Sequence, residues 1–202
     1  PVLRMGNSDR RAPAAVKQFA RNHPHPMGAW SGDSRTRAAT MSSGDFRTTE
    51  RSVTVAADDA LTIRFTPVNG GAARDLRDQV KVSAGSIVDA SLMSAAALDA
   101  FLAGSIAEAK ADGVLLSVHL KATMMKVSDP IIFGHAVRAF FSDLFATHGD
   151  ALAEAGFNPN NGMASLDGAL EELPADTRTA VQDALASAYA AGPELAMVNS
   201  DK

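Results

Sequence analysis

The chain has 202 residues, 46% hydrophobic and 21% charged, enough to bury one sizeable core. A formal charge of -4 argues against a general nucleic-acid binder; the absence of cysteine excludes disulfides, thiolate nucleophiles and thiolate-held zinc but leaves the compartment open. No apolar run is long enough to span a bilayer, and the first residues lack the form of a signal peptide. The start has no initiator methionine, and Leu195 to Lys202 read as a strand running into a loop, so the chain is expected to be a piece of something longer.

Pro1 to Ala12 is polar and turn-rich and carries Arg4, Arg10 and Arg11. A guanidinium is always charged and presents a planar fork of donors that fits a carboxylate or phosphate. Several such forks ahead of a helix N-terminus would clamp a polyanion, with surface ion pairing as the plainer alternative. Pro13 is predicted to open a helix through about Arg21, with Ser8 or Asp9 at its entry and Val16, Phe19 and Ala20 facing inward. His23 and His25 sit between prolines that hold them extended, with no carboxylate nearby, so the pair is a poor metal site. Trp30 reads as a packing anchor, and Ser31 to Thr49 as an irregular loop.

A β section follows. Val53 and Val55, then Leu61, Ile63 and Phe65, give two strands with a turn at Asp58-Asp59, and Asn69-Gly70-Gly71 is a tight turn. Leu76, Val80 and Val82 continue the sheet less regularly, and Ile87-Val88 is a short apolar piece. The section is expected to be an antiparallel layer inserted ahead of an α/β part.

Ser94 is expected to cap a helix through about Ala111, with Leu98, Phe101, Leu102, Ile106 and Ala109 on one face and Gly113 after it. The nearly continuous apolar run Val114, Leu115, Leu116, Val118 and Leu120 then predicts a strand covered on both faces. Lys121 follows directly. Open α/β sheets bind ligands at the carboxyl ends of their strands, where a partly desolvated lysine can shuttle protons; a solvated lysine at a strand end is the alternative. Ser128-Asp129-Pro130 suggests a capped helix start, and Phe133, Val137, Phe140, Phe141, Leu144 and Phe145 an apolar helix face, closed by Gly149.

Beyond Gly149 the pattern is helical: a short piece ended by Gly156, a loop at Asn158 to Gly162, a helix stopped by Pro174 and another stopped by Gly192-Pro193. Leu195 to Val198 reads as one more buried strand. There is no glycine-rich dinucleotide fingerprint and no phosphate-binding loop. The predicted class is α/β: a mostly parallel buried sheet flanked by helices, with the inserted antiparallel section. Residues 1–50 would form the arginine loop, first helix and irregular region, 51–90 the β section and 91–202 the α/β part.

Several blocks, PVLRMGNSDRRAP, HPHPMGAWS, GVLLSVHLKATMMKVSDPIIFGHAVRAFF, NNGM and ELAMVNSDK, resemble consecutive segments of the monomeric-type NADP-dependent isocitrate dehydrogenases of bacteria. The order and spacing agree along essentially the whole chain, and HLKATMMKVSDP is not a generic strand-loop pattern. The resemblance implies an isocitrate/isopropylmalate dehydrogenase-like fold, and it implies oxidation of isocitrate by hydride transfer to NADP. Decarboxylation to 2-oxoglutarate with magnesium or manganese would follow, in a cytoplasmic enzyme that is monomeric when complete. By the same resemblance Arg4 and Arg10 would bind substrate carboxylates and Lys121 would be the catalytic lysine. Members of that family are several times longer. A substrate-contacting serine and asparagine would precede Pro1, and the metal-binding aspartates, a catalytic tyrosine and the NADP-binding residues would lie outside residues 1–202. Asp129 and Asp201 are read as a helix cap and a loop residue rather than metal ligands. The remainder of the polypeptide is thus an expected partner, and the isolated chain is expected to be inactive. Two other readings are a β-decarboxylating dehydrogenase for another 2-hydroxy acid, and a non-catalytic α/β module that binds a polyanion.

Overall fold

The computed structural model describes residues 13–26, 28–120 and 125–199. It is mixed α/β and divides into two compact units, Met41–Leu98 and Pro1–Thr40 with Asp99–Lys202.

In the unit Met41–Leu98, a single helical turn, α2 (Phe46–Thr49), is opened by a capping box in which Asp45 accepts from the Thr48 N–H at 3.1 Å. Strand β1 (Arg51–Thr54) pairs antiparallel with β4 (Ile87–Ala90), and β2 (Asp59–Phe65) pairs antiparallel with β3 (Arg74–Val82). The turn between β2 and β3 holds Gly70 at φ +79°, a left-handed conformation that favours glycine. The inserted antiparallel section is therefore present. The two strands separated by Asp58-Asp59 are not partners of each other; each takes a strand from downstream. Arg64 braces the β2–β3 ribbon with a two-pronged contact to Asp75, at 2.6 and 3.1 Å.

In the other unit, α1 (Ala14–Asn22) forms where Pro13 predicts it, but the expected inward face is wrong. Val16 and Phe19 are 54% and 63% exposed, and Trp30 is 75% exposed rather than an anchor. No described element covers these side chains, so their apolar surface stays in water. The irregular segment that follows leads, in sequence beyond the β unit, to α3 (Ala95–Asp112). Ser94 caps this helix through its hydroxyl, as read, and Leu98 and Ala109 are buried on its apolar face.

Strand β5 (Leu116–Leu120) is followed by α4 (Ser128–Phe140) and α5 (Ser142–Glu154). Two 3-10 turns (Pro159–Asn161 and Met163–Ser165), α6 (Leu166–Glu172) and α7 (Ala175–Ala191) come next, and the chain returns in β6 (Leu195–Asn199). β5 and β6 pair parallel in register from Leu116↔Leu195 to Leu120↔Asn199. The helices between them form the crossover that parallel pairing requires. One core cluster joins Leu120 to Phe133, Val137, Phe140, Phe141, Leu144, Leu152, Leu170 and Val181.

Four expectations here need correction. The helix from Ser128 does not run to Gly149; it breaks at Phe141 (φ -105°, ψ 38°), and Gly149 lies inside α5. The break lets the consecutive Phe140 and Phe141 both reach the core, which one straight helix face could not do. Closure comes at Gly156, φ +84°. Ser128 and Asp129 are not caps but lie within α4, whose entry is Val127 with no side-chain cap bond. Finally, β5 is covered on one face only: Leu116, Val118 and Leu120 pack inward, while Leu115, Ser117 and His119 are exposed. β6 is half-buried rather than buried. Among the described residues no helix is long and apolar enough to cross a membrane.

Leu152 is fully buried, so Leu152→Ala should lower stability by about 2–5 kcal/mol in denaturant unfolding. The Asp45 carboxyl is held below its ordinary value, first by the Thr48 hydroxyl and then by the Thr48 N–H. A depressed folded value means that the contribution is present above the unfolded carboxylate range and lost as pH falls through the folded value. The stability gap between the parent and Asp45→Ala, measured by thermal unfolding, should therefore shrink as pH drops below about 4.

Candidate active site

Leu120, the last described residue of β5, is 3% exposed and packs in the cluster with Phe133 and Val137 of α4. Its register partner is Asn199, so the carboxyl ends of two parallel strands lie side by side. Ligands of open α/β sheets bind at such ends. Lys121, Arg4 and Arg10 all lie outside the described residues, as does Asp201.

α4 is seated firmly behind this end. Gly134 meets the 3-10 turn so closely that a Cβ there would overlap the Asn160 side chain. His135 Nδ1 lies 2.6 Å from Asp99 Oδ1, linking α4 to α3. Asp129, in the first turn of α4, gives its N–H to the Met125 carbonyl at 3.1 Å. An acidic side chain in the first turn complements the helix dipole.

Three polar groupings here escaped the sequence reading. On the exposed side of β5, Ser117 Oγ and His119 Nε2 are 2.7 Å apart. Beside it opens a cleft of about 490 Å³ lined in part by Arg35, Arg37, Ser105, Glu108 and Ser117. Arg35 donates to the Asp112 carbonyl at 2.7 Å, and Arg37 donates to Asp112 at 2.6 Å and Glu108 at 3.2 Å. The bond to Asp112, then the bond to Glu108, raises the Arg37 guanidinium further above its ordinary value, so it is a fixed cation. Together the two arginines tie the irregular segment after α1 to the end of α3. The third grouping is the His135–Asp99 pair. The alternation Ser117-x-His119 was the one available signal, and it was hidden inside an apolar run.

Among the described residues no group of three or more His, Asp or Glu side chains could hold a metal ion. His23 turns its Nδ1 to the Phe19 carbonyl at 3.0 Å and stacks on the Phe19 ring. The residues described here therefore do not fit a metal centre.

The family model described as monomeric isocitrate dehydrogenase matches residues 1–202. The chain belongs to the monomeric isocitrate dehydrogenase family. It is 51% identical over 200 residues to "Isocitrate dehydrogenase [NADP]" of Corynebacterium glutamicum, covering 99% of this chain and 27% of that protein. It is 48% identical over 202 residues both to "Isocitrate dehydrogenase [NADP] 2" of Colwellia maris and to "Isocitrate dehydrogenase [NADP]" of Azotobacter vinelandii, covering 100% of this chain and 27% of each. The chain thus spans 27% of the length of these relatives.

The His135 side chain is 26% exposed and that of Asp99 55%. A double-mutant cycle with His135→Ala and Asp99→Ala should give a coupling of about 0.5–1 kcal/mol, near the top of the range for surface pairs; additivity would show that the contact contributes nothing.

Proposed function

We propose that the complete polypeptide oxidatively decarboxylates isocitrate to 2-oxoglutarate with NADP and magnesium or manganese, and that residues 1–202 form part of its large domain. The observation that carries this reading is the match of the whole chain to one family and to relatives whose names state both substrate and cofactor. Arg4 and Arg10 bind carboxylates of the substrate. A tricarboxylic acid calls for such forks, and their bidentate geometry fixes its orientation. Lys121, next in sequence after the buried end of β5, takes the proton of the substrate hydroxyl as a neutral amine. Partial desolvation at a strand end lowers the cost of that neutral form.

The parallel pair β5–β6 is, in this reading, the visible part of the mostly parallel sheet of an isocitrate/isopropylmalate dehydrogenase-like domain. The remainder of the polypeptide covers the apolar surface that Val16, Phe19, Trp30 and Leu115 leave in water. In this reading it also brings the metal and NADP ligands. The complete enzyme is monomeric and works in the bacterial cytoplasm.

In the complete enzyme, Lys121→Met should lower kcat/KM for isocitrate at least about a hundredfold. Arg10→Lys should weaken substrate binding, because a point charge replaces a planar fork, and so raise KM more than it lowers kcat. The 202-residue chain alone should form no NADPH from isocitrate. A Lys121→Met enzyme as fast as its parent would remove the lysine from the mechanism.

A further inference from the structure

We propose that Asn69 is a site of spontaneous deamidation, and that the fold shields the chain's other Asn-Gly step, Asn161-Gly162, from the same reaction. In such a step the glycine nitrogen can attack the carboxamide carbon of the asparagine before it. Glycine places no Cβ beside that nitrogen and leaves the peptide free to turn. The chain contains the dipeptide twice. Two conditions decide whether it reacts: the glycine N–H must be able to lose its proton, and the carboxamide must lie over it.

At the turn between β2 and β3 both conditions are met. Asn69 and Gly70 are exposed, and the space beside Gly70 is so open that a Cβ there would meet nothing within 4 Å. Gly70 lies beyond Phe65↔Arg74, the last pair of the ribbon, and among the described residues its N–H has no hydrogen-bond acceptor. A solvated N–H reaches base directly, whereas a bonded one must first open. The Gly71 N–H donates to Asn69 Oδ1 at 3.4 Å, a long bond that folds the carboxamide back over the turn. A donor on that oxygen also favours the negative charge that attack places there.

At Asn161-Gly162 the same letters are held differently. Asn161 is exposed, but Gly162 is buried and its N–H donates to the Pro159 carbonyl at 3.0 Å. The Asn161 N–H donates to the Asn158 carbonyl, also at 3.0 Å. The Phe133 ring stands where a Gly162 Cβ would meet it at 3.3 Å, and the preceding Asn160 packs on Gly134 of α4. The nitrogen is freed only when the 3-10 turn opens and lifts away from α4.

The reaction needs water alone as co-reactant. Base removes the Gly70 N–H proton, the bond from that nitrogen to Asn69 Cγ forms, the Cγ–Nδ2 bond breaks, and ammonia leaves a cyclic imide. Water then opens the ring at either carbonyl, which yields an aspartyl or an isoaspartyl residue. Both products add a negative charge to the turn, and the isoaspartyl form lengthens the backbone path between β2 and β3 by one methylene.

The test uses the complete enzyme, held in mildly alkaline buffer and sampled over time by peptide mapping with mass spectrometry that separates aspartyl from isoaspartyl. Asn69 should convert to both products at least about tenfold faster than Asn161, at a rate that rises with pH. Asn69→Gln should abolish conversion at that position, and Gly70→Ala should slow it severalfold while leaving Asn161 as it was. In denaturant the two asparagines should react at similar rates, since the difference belongs to the fold. An Asn69 that stays intact in the folded enzyme, equal rates at the two steps in the folded enzyme, or a tenfold gap that persists in denaturant overturns the proposal.

Discussion

The parallel pairing of β5 with β6 is the constraint on which the α/β part of this chain depends. The residues that follow Leu120 and Asn199 are far apart in sequence, and only the in-register ladder brings those two strand ends together. A parallel pair cannot be closed by a tight turn, so the chain must travel through α4 to α7 before it returns. That detour pays for itself in buried apolar surface: Val137, Phe141, Leu144, Leu152 and Val181 lie almost wholly out of water between the helices and the inward side of β5. Leu120, the last described residue of β5, is held in the same cluster.

Much of this was legible because the signals are local. Ser94 and Gly113 frame α3, Pro174 and Gly192-Pro193 stop α6 and α7, and Asn69-Gly70-Gly71 marks the turn between β2 and β3. What failed were judgements that depend on distant partners. Val53 and Leu61 announce strands but not that β1 seeks β4 while β2 seeks β3. The run Phe140-Phe141-Leu144-Phe145 reads as one helix, because nothing local says that both phenylalanines must turn into the same core. Leu115 and Trp30 look like core residues by type alone, yet burial requires a second surface, and none is described.

The candidate site was legible in a different way. Arg4, Arg10 and Lys121 were singled out by their chemistry and by family resemblance, and the family is now established over the full chain. The polar groups on β5 and around the cleft beside it were missed. Arg35 and Arg37 look like ordinary loop cations until their carboxylate and carbonyl partners on α3 are seen. Ser117 and His119 hide in an apolar stretch whose two faces only the burial pattern separates. Polar residues interleaved with the apolar ones of β5 report which face of the strand is left in water.

Since the chain is 27% of the length of its relatives, the account turns on three side chains that must converge on one substrate. The most direct measurement is the crystal structure of the complete enzyme with isocitrate bound. The account predicts the Lys121 amine within about 3.2 Å of the substrate hydroxyl or one water away, with the Arg4 and Arg10 forks on its carboxylates. A bound substrate with Lys121 on the opposite side of the molecule from those arginines would contradict it.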